Sequence, residues 1–241
     1  RIQTSKIDAI DFKGYGMGND RALAFSKALQ VRTPIRTTTF NLAGNGLDGK
    51  GAAALLKAMT EVGTVTNLDI SNNRIGRSGA NALVALLHQG MHRLRVLNLK
   101  GNRLGDNLLK PILTAAGECS TLEVLNVADN AMRSAKGVSE IVKNGMNAVV
   151  DLDLGWNGLR GVDVIKDLVE ALQSPKCILQ TLRLAYNGFG SGLGDSMLLT
   201  ALAESTTVNN IDLSFNVLDD RTALAYLTLL FPAAHGHVKS F

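Results

Sequence analysis

One eight-residue phrase returns eight times along this chain. On a single frame it reads IDFKGYGM (10–17), FNLAGNGL (40–47), LDISNNRI (68–75), LNLKGNRL (97–104), LNVADNAM (125–132), LDLGWNGL (152–159), LRLAYNGF (182–189) and IDLSFNVL (211–218). The sixth position is Tyr15 in the first copy and then Asn45, Asn73, Asn102, Asn130, Asn157, Asn187 and Asn216, at spacings of 30, 28, 29, 28, 27, 30 and 29. Self-similarity at a fixed period of this size is the mark of a stacked-repeat architecture, and it restricts the fold more than any other feature of the sequence.

Each copy opens apolar-x-apolar, the alternation of a short strand with one buried face. Helical spacing follows. Between Asn73 and Asn102, Ser78 is expected to cap a helix whose apolar face is Ala82, Leu83, Leu86 and Leu87, and Asp48, Asp106, Ser134, Asp195 and Asp220 are expected to cap in comparable places. One strand-turn-helix unit cannot cover its own apolar face, so the units must stack on each other. The expected fold is α/β: a single right-handed solenoid arc with a parallel sheet on the concave face and helices on the convex one. Its repeats fall near 7–34, 35–63, 64–91, 92–119, 120–146, 147–176, 177–205 and 206–234. A ninth strand would fall near residue 240, so residues 235–241 begin another repeat of a longer protein or form a tail that caps the last one. The asparagines are expected to form a buried ladder that satisfies backbone groups at each turn, a scaffold role.

The pattern LxxLxLxxNxLxxxG followed by a helical segment resembles the leucine-rich repeats. The long period resembles the ribonuclease-inhibitor-like subclass, with LVEALQSPKCILQTLRLAYNGF (168–189) especially near it, and GAAAL (51–55) and GANAL (79–83) are similar to the GALA variant. The resemblance runs from residue 7 to about 231. It implies a binding scaffold rather than one particular activity.

Composition narrows the setting. No apolar run is long enough to span a bilayer, no Asn-x-Ser/Thr sequon occurs, and Cys119 and Cys177 are too few for a disulfide framework. Both cysteines fall at helix-to-strand junctions and are expected to be small buried thiols. The net charge of +4 conceals a polarity: residues 1–120 carry 16 Lys and Arg against 8 Asp and Glu, and residues 121–241 carry 9 against 13. Together these features point to an intracellular, cytoplasmic protein.

Several motifs suggest chemistry. GNGLDGKG (44–51) is one residue from a phosphate-binding loop, but Gly51 stands where a magnesium-binding hydroxyl is required, and Asn45 and Leu47 belong to the repeat. GSGLG (190–194) reads as a loop, and His235 and His237 as a solvated pair without further ligands. No nucleophile-base constellation is legible. The expectation is no enzyme, cofactor, metal or small-molecule substrate.

Surface chemistry is more informative. The middle residue of each apolar-x-apolar strand faces the concave side: Asp11, Asn41, Asp69, Asn98, Asn126, Asp153, Arg183 and Asp212. The residue before the ladder asparagine runs Gly14, Gly44, Asn72, Gly101, Asp129, Trp156, Tyr186 and Phe215. Neighbouring strands lie ~4.8 Å apart, so the three aromatics should make one ridge beside Asp151, Asp153, Arg183 and Asp212. Aromatic anchors with charged neighbours are the composition of binding hot spots. The competing reading is that the rings pack on each other and cover backbone. A second surface collects Arg74, Arg77, Arg95, Lys100 and Arg103, suited to an acidic partner. An acidic concave stripe would repel nucleic acid.

These features lead to a non-enzymatic scaffold or adaptor that binds a protein partner, one with a basic element, on its concave face. By analogy with similar repeats it belongs to a larger assembly, cytoskeletal or ciliary ones included. Resemblance also implies two alternatives. The GTPase-activating proteins of Ran look like this repeat, which implies regulation of a small GTPase, with Arg74 or Arg103 as candidates by residue type alone. The GALA-like letters imply a ubiquitin-ligase adaptor, which requires an F-box or its equivalent outside these residues.

Overall fold

The computed structural model describes residues 7–31, 36–89, 93–143, 148–190 and 194–230. Strand and helix alternate throughout: β1 (Ala9–Asp11), α1 (Gly18–Gln30), β2 (Thr39–Asn41), α2 (Gly49–Val62), β3 (Asn67–Asp69), α3 (Gly76–Gln89), β4 (Val96–Asn98), α4 (Gly105–Glu118), β5 (Val124–Asn126), α5 (Lys136–Lys143), β6 (Asp151–Asp153), α6 (Val162–Leu172), β7 (Thr181–Arg183), α7 (Asp195–Glu204), β8 (Asn210–Asp212) and α8 (Asp220–Leu230). The strands form one parallel eight-stranded sheet in sequence order. Equivalent residues pair throughout, as in Asn126 with Asp153 and Asp153 with Arg183. Because packed helices need ~8–10 Å and strands only ~4.8 Å, the stack bends with the sheet inside.

Each strand is three residues long, with flanks turned to the concave side and a centre that is buried in β2 to β8 and half-buried, at Ile10, in β1. The core fills the space between sheet and helices. In the second repeat Phe40, Leu42 and Leu47 from the strand and turn meet Leu55, Leu56 and Met59 from α2, all buried. The same positions recur one repeat later as Leu68, Ile70, Ile75, Leu83 and Leu87. Burying each such side chain contributes about 1.5–3 kcal/mol, and every repeat depends on its neighbour to complete the burial.

The asparagine side chains bridge repeats. Asn130 is fully buried; its Nδ2 donates to the carbonyls of Leu99 (2.9 Å), Val127 (3.1 Å) and Ala128 (3.0 Å), while its Oδ1 accepts from the N–H groups of Asn102 (3.2 Å) and Leu104 (3.3 Å). Thus one amide serves its own turn and that of the preceding repeat. Asn45, Asn73, Asn102, Asn157, Asn187 and Asn216 each donate back to the preceding repeat in the same way. Tyr15 stands outside the ladder, its ring against Phe12 and under the Arg21 guanidinium, and Asn45 reaches back to serve the first turn, accepting from Met17 N–H.

The helix starts follow expectation at Asp48 and Ser134 and depart from it elsewhere. Asp48 caps α2, accepting from the N–H of Lys50 (2.8 Å) and Gly51 (3.3 Å). Those bonds, the one from Lys50 first, hold its carboxyl below the ordinary value. Ser78, expected as a cap, lies inside the first turn of α3, because the helix begins at Gly76, whose φ of +51° makes the bend. The cap of α8 is Asp219 rather than Asp220: it accepts from Thr222 N–H at 2.7 Å, which lowers its pKa. Asp106 instead spans repeats, accepting from the N–H of Arg133 (2.9 Å) and Ser134 (3.0 Å). Ser134 Oγ accepts from Lys136 N–H at the entry to α5. At Asp195 the helix α7 begins on the residue itself, after Gly194.

Glycine sets how closely the helices approach. A Cβ on Gly51 would lie 2.4 Å from Asn19 Oδ1 and 3.2 Å from Asn19 Cα, and one on Gly117 would lie 2.8 Å from Ile141 Cα. The outer glycines of GSGLG are equally confined, Gly190 against Val217 and Gly194 against Ile165. The three residues between them, the expected ninth strand, and His235 and His237 lie outside the described residues.

Candidate interaction surface

The concave stripe carries a structural duty that its sequence reading did not include. Asp11, Asn41, Asp69, Asn98, Asn126, Asp153 and Asp212 each accept, through the side-chain oxygen, the N–H two residues onward, at 2.8 to 3.2 Å. Asp and Asn make this local turn readily because their acceptor is short. The signal was present in the sequence: only these two residue types fill seven of the eight slots. Part of the acidity therefore terminates strands, and the carboxylate oxygen left over faces the concavity.

Arg183 breaks the series. Its guanidinium is paired in bidentate fashion with Asp151 of the preceding strand, Nη1 on Oδ1 and Nη2 on Oδ2. That bond, followed by the fields of Asp151, Asp153 and Asp212, raises its already high pKa. The four residues form one group with three carboxylates against a single cation, and Asp153 also accepts from Asn126 Nδ2 (3.1 Å).

The slot before the ladder asparagine is left-handed wherever it is filled. Its φ is +66° at Gly14, +65° at Gly44, +53° at Asn72, +71° at Gly101, +52° at Asp129, +53° at Trp156, +57° at Tyr186 and +54° at Phe215. Glycine adopts this conformation freely and Asn and Asp tolerate it, whereas bulky residues there are outliers. The first five repeats comply. The last three place aromatic rings on the strained backbone. The rings stack continuously, Trp156 on Tyr186 with centroids 3.8 Å apart and 19° between planes, and Tyr186 on Phe215 at 4.2 Å and 13°. Tyr186 in the middle is half-buried, while Trp156 remains 54% and Phe215 70% exposed. The rings do pack on each other, but that packing leaves the outer two open to solvent.

The basic residues divide between the two edges of the sheet. Arg74, Arg77 and Arg103 are exposed on the edge where strands turn into helices, the same edge as the ridge, and Lys100 lies half-buried beside them. Arg95 precedes β4, on the opposite edge, and forms an ion pair with Glu123 at 2.7 Å.

The remaining motifs resolve into structure. Both cysteines are buried, and neither forms a disulfide. In the 44–51 stretch, the Asp48 carboxylate takes the position at the N-terminus of α2 that a phosphate would need, and Gly51 meets α1. Among the described residues no group of three His, Cys, Asp or Glu is placed to hold a metal ion, and no helix is long and apolar enough to cross a membrane.

Comparison with known proteins agrees with this architecture. A family model described as Leucine Rich repeat matches residues 38–56, 64–84 and 91–111, all in the N-terminal half. The chain is 29% identical over 175 residues to NACHT, LRR and PYD domains-containing protein 12 of Mus musculus, covering 73% of this chain and 14% of that protein. It is 27% identical over 205 residues to Tonsoku-like protein of Mus musculus, covering 81% and 15%. The chain thus spans about 15% of the length of these curated relatives. Among solved structures it is similar to an internalin C2 of Listeria monocytogenes, with a TM-score of 0.45, 16% identity and coverage of 76% of this chain and 64% of that one. Eight strand-turn-helix units, stacked in sequence order and tied by their asparagines, give this chain the α/β arc of a leucine-rich-repeat solenoid.

Proposed function

We propose that this arc is a non-enzymatic protein-interaction module that binds a protein partner on its concave face, with Trp156, Tyr186 and Phe215 as anchors and Asp151, Asp153, Arg183 and Asp212 as polar surroundings. The observation that carries the reading is the strain under the ridge. A non-glycine residue in the left-handed region costs roughly 1–2 kcal/mol, so three cost roughly 3–6 kcal/mol. Two ring stacks return only about 1–3 kcal/mol. The first five repeats avoid this cost with Gly, Asn or Asp in the same slot. Strain that the fold does not require, held at an exposed surface, is typical of a functional site. Exposed aromatic area beside charged groups is what partners bury at hot spots.

A partner bearing a basic element suits the excess of carboxylates around Arg183. A place in a larger cytoplasmic assembly, cytoskeletal or ciliary, is part of the same proposal. The test is capture from native extract with wild type beside a Trp156→Gly, Tyr186→Gly variant, after melts show equal folding. A protein retained by wild type and lost by the variant is the expected result. Identical captures would overturn the ridge as the binding surface and move attention to Arg74 and Arg103.

A further inference from the structure

The rings of the ridge differ in what they leave open. Tyr186 is stacked on both faces; Trp156 is stacked on one, and its other face looks toward the preceding repeat. The residue in that direction is fixed by the sheet. Asn126 pairs with Asp153, Asp129 N–H donates to Gly155 O at 2.9 Å, and Trp156 N–H donates to Ala185 O at 2.9 Å. Asp129 and Trp156 therefore hold the same slot on adjacent strands, with the same left-handed backbone, ~4.8 Å apart. The aspartate side chain is too short to cover an indole. Beyond it comes Gly101, over which the Asn72 amide folds: a Cβ there would lie 2.5 Å from Asn72 Oδ1. The result is an open corner with an indole face as one wall and an exposed carboxylate as the other.

Two observations say what fits the corner. Among the described residues no ion pair is found for the Asp129 carboxylate. The exposed residues Arg103 and Arg133 flank the turn side, and neither is within ion-pair distance of Asp129. At the other end of the arc, by contrast, Arg21 lies over the Tyr15 ring, 5.9 Å from its centroid. Tryptophan is the strongest aromatic partner for a cation, and a carboxylate alongside adds direct attraction. An apolar side chain would cover the indole but leave the Asp129 charge desolvated and unpaired. An acidic one would be repelled.

We propose that the corner between Trp156 and Asp129 is a subsite for a cationic side chain, the arginine or lysine of a protein segment lying along the ridge. The proposal rests on the ridge being a binding surface and names the partner's chemistry there.

Trp156 is the single tryptophan of the chain, so its fluorescence reports on this corner alone. The whole chain is titrated with hexa-arginine, hexa-lysine and hexa-glutamate peptides at fixed ionic strength. The basic peptides should quench Trp156 saturably and hexa-glutamate should not. Asp129→Asn, which the backbone accepts as it accepts Asn72, should weaken basic-peptide binding by about five-fold, whereas Asp163→Asn on α6 makes the same charge change and should leave it intact. No saturable quenching, or equal weakening by the two variants, would overturn the subsite. Labelled hexa-arginine, followed by anisotropy against the Trp156→Gly, Tyr186→Gly variant, separates this proposal from the one beneath it. Binding lost with the ridge but unchanged in Asp129→Asn overturns the corner and leaves the ridge standing.

Discussion

The two halves of the arc answer the same backbone template differently. In the N-terminal half, α1 to α4 run 13 or 14 residues, and the left-handed slot holds glycine or asparagine. In the C-terminal half, α6 and α7, whose two ends are both described, run 11 and 10 residues, and the slot passes from Asp129 to three aromatics. The charge reverses as well, an excess of basic residues giving way to an excess of acidic ones. All three matches to the family model lie in the first half. Where local preference and fold agree, the repeats serve the solenoid; where they conflict at a solvent-facing position, the conflict marks a second selective demand. On the proposed function, the first half serves as scaffold and the second carries the binding surface.

Predictions that would break or sharpen this contrast can be ranked by size. The largest effect is expected from Asn130→Ala, at the junction of the halves. It leaves the buried N–H groups of Asn102 and Leu104 without an acceptor and takes one of two donors from the carbonyls of Leu99, Val127 and Ala128, and should cost about 2–6 kcal/mol in urea unfolding. Asn216→Ala, at a partly exposed site, should cost clearly less. Next is Gly117→Ala, whose Cβ would meet the backbone of Ile141 at 2.8 Å and should cost about 1–3 kcal/mol by forcing α4 and α5 apart. An unchanged melting temperature would show that the two halves are not closely fitted there.

Tyr186→Asn should move stability by less than about 1 kcal/mol, since relief of strain offsets lost stacking, yet abolish partner capture. A loss of both together would make the ridge part of the fold. The smallest effect is expected at Asp48. Its folded pKa lies below the ordinary 3.8, so its contribution is complete above that value and is lost as pH falls through the depressed one. Asn at this position still caps but does not titrate. The melting temperature of Asp48→Asn should therefore fall less steeply than that of wild type below pH 3.8.

Much of this was legible in the sequence because solenoids are local. The period located the strands, the apolar alternation gave their buried face, and the common frame made Trp156, Tyr186 and Phe215 contiguous before any coordinates. Helix starts were less legible. A capping side chain at Ser78 or Asp220 is recognisable by type, but whether the helix begins before or after it depends on the bend at Gly76 or on Asp219 next door. The left-handed slot had a readable signal that the sequence analysis did not use: Gly, Gly, Asn, Gly and Asp are the residues that tolerate positive φ. Contacts between repeats, such as Asp106 with Arg133 and Ser134 or Arg95 with Glu123, depend on distances that no linear pattern encodes.

The central claim is that the ridge is maintained for a partner and not for the solenoid. Urea unfolding followed by circular dichroism, comparing wild type with the Trp156→Gly, Tyr186→Gly, Phe215→Gly triple variant, addresses it directly. The account predicts stability within about 1 kcal/mol of wild type or above it, because left-handed strain is removed along with the stacks. A loss of about 3 kcal/mol or more, the usual cost of deleting a core aromatic, would contradict it and make the three rings structural.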